Sequence, residues 1–173
     1  MLIYLDANII QYCADHWDFV SGESATCKNV DPKLQKELEA LRRLVELEQL
    51  GDWAFAATAH LLAELRAGKP TKEQLDTYKL LQEAWSDSIW FEDTRPTEDT
   101  IRKIEQSLAT LKLKQASDRR HLAEAIALHA SWFLTNDKDV VNKAKKAKGG
   151  FGSIQVCRPS ECLQEISTGL FLR

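Results

Sequence analysis

The stretch that decides the fold is Leu2-Ile3-Tyr4-Leu5 followed at once by Asp6 (LIYLD, 2–6). Four apolar residues without alternation suit a strand covered on both faces, as strands of parallel sheets are. The acid that ends the run then stands where such a sheet opens. Working outward, residues 7–14 read as a helix, and residues 18–33 are polar and loop-like. Asp31-Pro32 reads as an N-cap and first helical residue. From there Leu34, Leu38, Leu41, Leu44, Val45 and Leu47 recur at helical spacing up to Gly51. WAFAA (53–57) is a second short apolar strand, running into a helix with His60, Leu61, Leu62, Glu64 and Leu65 that Gly68-Lys69-Pro70 stops.

The alternation continues to the end of the chain. Thr71-x-x-Gln74 is a capping box that opens a helix to residue 86. SIWFE (88–92) is a third strand candidate, and 96–112 is a helix with Ile101, Ile104, Leu108 and Leu111 on one face. Residues 117–130 form the clearest helix, with Leu122, Ala125, Ile126 and His129 as its apolar stripe. WFL (132–134) is a fourth strand, 138–148 a basic helix, SIQVC (153–157) a last strand and 159–166 a closing helix. Strands alternating with helices predict an α/β fold with a mostly parallel central sheet. The absence of repeats makes residues 1–173 one domain.

Composition narrows the class. The chain has 173 residues, 44% of them hydrophobic and 28% charged, with 7 Gly and 4 Pro, which excludes a disordered or collagen-like chain. With 23 basic against 26 acidic residues, net −3, any polyanion must be held by a local patch rather than a global field. No apolar run reaches the ~20 residues of a membrane helix. The N-terminus lacks a secretory signal, so a cytoplasmic location is expected. The cysteines (Cys13, Cys27, Cys157, Cys162) form no C-x-x-C pair and complete no zinc set with histidine. Free thiols are therefore expected, and structural zinc is not.

The acids are placed with purpose. Asp6 follows the first strand, Asp137 follows the fourth after Thr135-Asn136, Glu64 lies on the helix after the second, and Asp118 starts the helix leading to the fourth. Groups just past the carboxyl ends of parallel strands face a shared crevice. Crowded carboxylates repel unless a cation is supplied. An all-oxygen set suits Mg²⁺ or Mn²⁺, which can acidify a bound water and orient a phosphate. Asn8 and Thr135 are neutral partners beside Asp6 and Asp137. Each acid also has a plainer role open to it: Asp118 and Asp137 as helix caps, Glu64 as a solvated surface acid.

LIYLDANII (2–10), the Glu64 of HLLAELRAG (60–68) and the tract DRRHLAEAIALHASWFLTNDKDV (118–140) together resemble the PIN domain, typified by VapC-type toxins. The last tract is the most specific piece: an Asp, an Ala-rich helix, a short strand, Thr-Asn-Asp, then Asp139. The resemblance implies a three-layer α/β/α Rossmann-like fold and a Mg²⁺/Mn²⁺-dependent endoribonuclease that hydrolyses RNA with a metal-activated water. It implies Asp6, Glu64, Asp118 and Asp137 as the catalytic and metal-binding quartet, with Asn8, Thr135 and Asp139 in support. A homodimer and a role as the toxin of a toxin–antitoxin pair, held by an antitoxin protein, follow from the same likeness. Asp6 and Glu64 stand farther apart than in the compact toxins, and the 18–33 loop accounts for the excess.

Two other functions compete. An aspartate-nucleophile phosphatase also places an Asp after its first strand, but it needs a second Asp where this chain has Asn8. A non-catalytic RNA-binding or protein-interaction module would keep the fold. For RNA, Arg119, Arg120, Lys138, Lys143, Lys145 and Lys146 are candidate phosphate contacts, against the plain alternative of a solvated helix face. The five Trp residues are expected mostly in the core. His60, His121 and His129 are expected as packed or surface residues, with His121 alone bordering the site.

Overall fold

The computed structural model describes residues 1–27, 30–48, 53–86, 96–147 and 154–170. LIYL forms β1 (Leu2–Leu5), in which Ile3, Tyr4 and Leu5 are buried. It is an interior strand, paired in parallel with β2 (Ala54–Ala56) on one side and β3 (Trp132–Leu134) on the other. Ile3 stands opposite Phe55 and Trp132, and Tyr4 opposite Ala56 and Phe133. The Tyr4 and Phe133 rings stack with centroids 5.6 Å apart. β4 (Gln155–Cys157) pairs with β3, so the described sheet has four parallel strands in the order β2-β1-β3-β4. The strand expected at 88–92 lies outside the described residues.

That order creates a crevice. The chain leaves β1 to build β2 on one side, then returns past β1 to build β3 on the other. The carboxyl ends of β1 and β3 are therefore the switch point of the sheet, where connections part to either side. The helices are α1 (Ala7–Asp15), α2 (Trp17–Val20), α3 (Pro32–Glu48), α4 (Ala59–Ala67), α5 (Lys72–Ser86), α6 (Glu98–Ser107), α7 (Ala116–Ala127), α8 (Lys138–Lys146) and α9 (Pro159–Leu170). α3 packs on α9, α6 on α7 and α1 on α5. This α/β arrangement is compatible with three layers. None of the described helices is long and apolar enough to cross a membrane.

Local chemistry explains most element ends. Asp31 Oδ1 accepts from the Lys33 and Leu34 amides at the start of α3. Thr71 and Gln74 exchange side chain-to-backbone bonds in the expected capping box. The buried Glu37 of α3 accepts from the Ser160 amide and hydroxyl, both at 2.9 Å, which ties it to the first turn of α9. A carboxylate suits that position because a helix N-terminus carries free N–H groups and a partial positive charge.

Three expectations change. The 18–33 segment begins inside the short α2, which runs over Trp17–Val20. The helix expected over 96–112 stops at Ser107, tightens into a 3₁₀ turn over Leu108–Leu111 and breaks at Lys112, whose φ is 50°. His129 is not on an apolar stripe. α7 ends at Ala127, and His129 is an exposed left-handed residue (φ 55°) in the turn that aims the chain into β3. Trp132 is buried, while Trp17 and Trp53 are half-buried. All four cysteines are free thiols.

Candidate metal centre at the strand carboxyl ends

Asp6 is the hub. It is only 4% exposed, it is the N-cap of α1, and its amide donates to the Leu134 carbonyl of β3. Its Oδ1 accepts from the Ala7 amide at 2.8 Å and faces His121 Nδ1 at 3.2 Å. Its Oδ2 accepts from Asn8 Nδ2 at 2.6 Å and from the Thr135 hydroxyl at 2.7 Å. Converging donors satisfy the oxygens of a buried carboxylate.

Thr135 is fully buried, and its hydroxyl uses its whole capacity. It donates to Asp6 and accepts from Asn8 Nδ2 and the Asp137 amide, both at 3.0 Å. Asn8 Oδ1 in turn accepts from the Asn136 amide at 2.9 Å, so the β1 and β3 ends are stitched side chain to backbone. Asp137 caps α8 through Oδ1, which accepts from the Asp139 amide at 2.6 Å and the Val140 amide at 3.3 Å. The plainer capping role is thus real for Asp137. Asp118 lies in the first turn of α7, where its carboxylate accepts from the backbone of the N-cap residue Gln115.

Asp118 nonetheless feels the cluster. Partial burial, then the charges of Asp6 and Asp137, push its carboxyl up to about 6, against a lowering by His121. Three acids from separate chain segments therefore come within electrostatic reach at the β1/β3 crevice.

Glu64 joins them indirectly. It is half-exposed on α4, and its Oε2 stands 3.1 Å from His121 Nε2. His121 is only 1% exposed and lies between Asp6 and Glu64. Burial pulls its imidazole down in pKa, but the Asp6 hydrogen bond and the charges of Asp6, Glu64 and Glu124 outweigh this and leave it raised. The all-oxygen cluster expected from the sequence thus has an imidazole at its centre. His60, one turn before Glu64, completes a group of three with Glu64 and His121 whose ligand atoms all lie within 4.8 Å of one another. These three could hold a metal ion.

The outer candidates are variously engaged. Asp139 pairs with Lys143 at 2.7 Å, and that ammonium holds its carboxyl below the ordinary value. Lys143 also reaches the Lys112 carbonyl, and Lys145 pairs with Glu161 at 2.8 Å. Arg120 grips Glu98 with two bonds of 2.6 Å and Glu124 at 2.9 Å. Lys138 and Lys146 are exposed. Arg119 is half-buried, and its Nε has no hydrogen-bond partner.

Two residues escaped the sequence reading. Glu124 is buried and accepts from Tyr4 at 2.9 Å and Thr58 at 2.6 Å. The available signal was a lone acid inside the Leu122-Ala123-x-Ala125 stripe. His60 had a signal too, its i,i+4 spacing to Glu64. Compared with known proteins, the chain matches no family model, no characterised protein and no solved structure.

Proposed function

We propose that this chain is a Mg²⁺- or Mn²⁺-dependent endoribonuclease of PIN-like, Rossmann-like architecture. The observation that carries the reading is that Asp6 and Asp137 stand just past the carboxyl ends of β1 and β3, with Asp118 within reach of their charges. Its electrostatic mark is the Asp118 carboxyl, raised to about 6. The donor set fits a hard dication: Asp118 is short of positive charge, and only Oδ1 of Asp137 is committed to capping. Asp6, Asp118 and Asp137 would hold the ion, with Glu64 at the rim. When bound, such an ion acidifies a water and offsets charge on a phosphate.

The chain's own groups divide the remaining work. Asn8 and Thr135 fix the Asp6 carboxylate through Oδ2, so its orientation does not have to be won during reaction. Asp118, whose carboxyl is raised by burial and by the charges of Asp6 and Asp137, is the acid that a bound dication would relieve most. Lys138, Lys146 and Arg119 are the cations best placed to meet phosphates, because Arg120, Lys143 and Lys145 already hold acids. An antitoxin and a second copy of the chain are the protein partners this reading carries with it.

Labelled single-stranded RNA incubated with the purified protein tests the proposal. Cleavage is expected with Mn²⁺, leaving 5′-phosphate ends, and is expected to vanish with EDTA. Asp118→Asn should lower the rate by a factor on the order of 10 to 100 or more, the scale at which changes around a metal act. An Asp118→Asn protein as active as the wild type would end the assignment. Asp6→Asn is the poorer test, since its amide nitrogen would face donors where Asp6 now accepts on both oxygens.

A further inference from the structure

Beside the acid cluster the fold assembles a second, chemically different donor set. His60 and Glu64 stand one turn apart on the exposed side of α4, and His121 reaches them from α7. The His60 and His121 rings meet edge to face at 6.1 Å. The informative atom is His121 Nε2. It is buried and has no hydrogen-bond partner, although Glu64 Oε2 is only 3.1 Å away. The two atoms are close but misaligned for a hydrogen bond.

The other ring nitrogen explains the orientation. His121 Nδ1 faces Asp6 Oδ1 at 3.2 Å, so its proton is donated to that carboxylate. In the neutral ring, Nε2 then carries the lone pair on the side of Glu64 and His60. A carboxylate that orients an imidazole through one nitrogen, with the other free, is the arrangement that surrounds metal-ligating histidines.

We propose that His60, Glu64 and His121 form a binding site for a borderline first-row dication of the Zn²⁺ class, oriented by Asp6 through the ring of His121. Two imidazoles and one carboxylate suit zinc, nickel or cobalt, whereas magnesium and calcium prefer oxygen throughout. Tetrahedral zinc with bonds of about 2.0–2.1 Å needs ligand atoms roughly 3.4 Å apart, so the wider separations in the group must close a little and the 3.1 Å His121–Glu64 pair must open slightly. The residues that have to move are the exposed His60 and Glu64, while the buried His121 supplies a fixed point. Three protein ligands leave a position open towards the groove lined by Ala63, Glu98, Ser117 and Arg120. Such an ion shares Glu64 with the acid cluster but is held chiefly by two imidazoles that the cluster does not use, and the site does not rest on the nuclease reading.

The test is calorimetric titration of the EDTA-stripped, dialysed chain with ZnCl₂, in excess MgCl₂ to occupy oxygen-only sites. One Zn²⁺ per chain is expected, and Co²⁺ in its place should give visible ligand-field bands. His60→Ala and Glu64→Gln should each weaken Zn²⁺ binding roughly tenfold or more, the scale at which ligand-shell changes act. Both positions are exposed, and circular dichroism should report unchanged folding. Cys27→Ser should leave the affinity unaltered. If the wild type binds no Zn²⁺, or binds it as tightly in both α4 variants, the proposal is overturned. The second result would place the ion elsewhere, as on Cys27 and His16, which lie 3.5 Å apart. Zn²⁺ binding that depends on His60 supports the site even where the wild type cleaves no RNA, so failure of the two readings is distinguishable.

Discussion

Asp118 carries the electrostatic strain of the crevice. Its carboxyl titrates near 6 in the folded chain, against an ordinary 3.8. The folded state thus holds this proton more tightly than the unfolded one. Above about pH 6 the charged form destabilises the fold, and the penalty is relieved as pH falls from 6 towards 3.8. Asp118→Asn should therefore raise the stability of metal-free protein at pH 7, by on the order of 1 kcal/mol after solvent screening of a half-buried group. The gain should fade by pH 4. Urea unfolding at the two pH values in EDTA checks this, and an equal gain at both would contradict the origin assigned to the shift.

At the scale of elements, helix α4 is positioned by a buried polar knot. The Thr58 side chain caps the helix by accepting from the Leu61 amide at 3.3 Å and donates to Glu124 Oε2 at 2.6 Å. Tyr4 of β1 donates to the same oxygen, and Arg120 secures the other. Three elements meet on one carboxylate. Thr58→Val keeps the shape and deletes the cap and one donor, which should cost about 1–3 kcal/mol. It should also loosen α4, which bears both His60 and Glu64. Chemical denaturation measures the first effect, and weaker Zn²⁺ binding in the same variant reports the second.

These knots mark where sequence reasoning ran out. The strands were legible because LIYL, WAFAA and WFL are apolar runs too short to be helices, and Asp6, Thr135 and Asp137 were legible because they sit directly after strands. Caps were legible at Thr71 and Asp31, where the signal is local. Glu124 was not, because its partners Tyr4 and Thr58 lie far away in the chain and nothing near Glu124 announces them. The centrality of His121 was hidden for the same reason. A histidine on an amphipathic helix looks the same whether it faces two carboxylates or solvent, and only the sheet order decides which.

For the molecule as a whole, a ligand that binds only the folded state adds RT ln(1 + [L]/Kd) to its stability. With Mn²⁺ at 100 times its Kd, the gain should be about 2.7 kcal/mol. Melting followed by circular dichroism should show the midpoint rising with Mn²⁺ concentration. A midpoint indifferent to Mn²⁺ would argue against any folded-state site for it. In Asp118→Asn the response to Mn²⁺ should shrink, since one of the acids that would hold the ion has become an amide.

The Asp6–Thr135 bond joins residues 129 positions apart. Because β1 borders β3 in the sheet, β1 must wait for a strand made much later in the chain before that edge is paired. Closing so long a loop is slow and comes late in folding. A nascent chain therefore has no assembled β1/β3 crevice until β3 has been made.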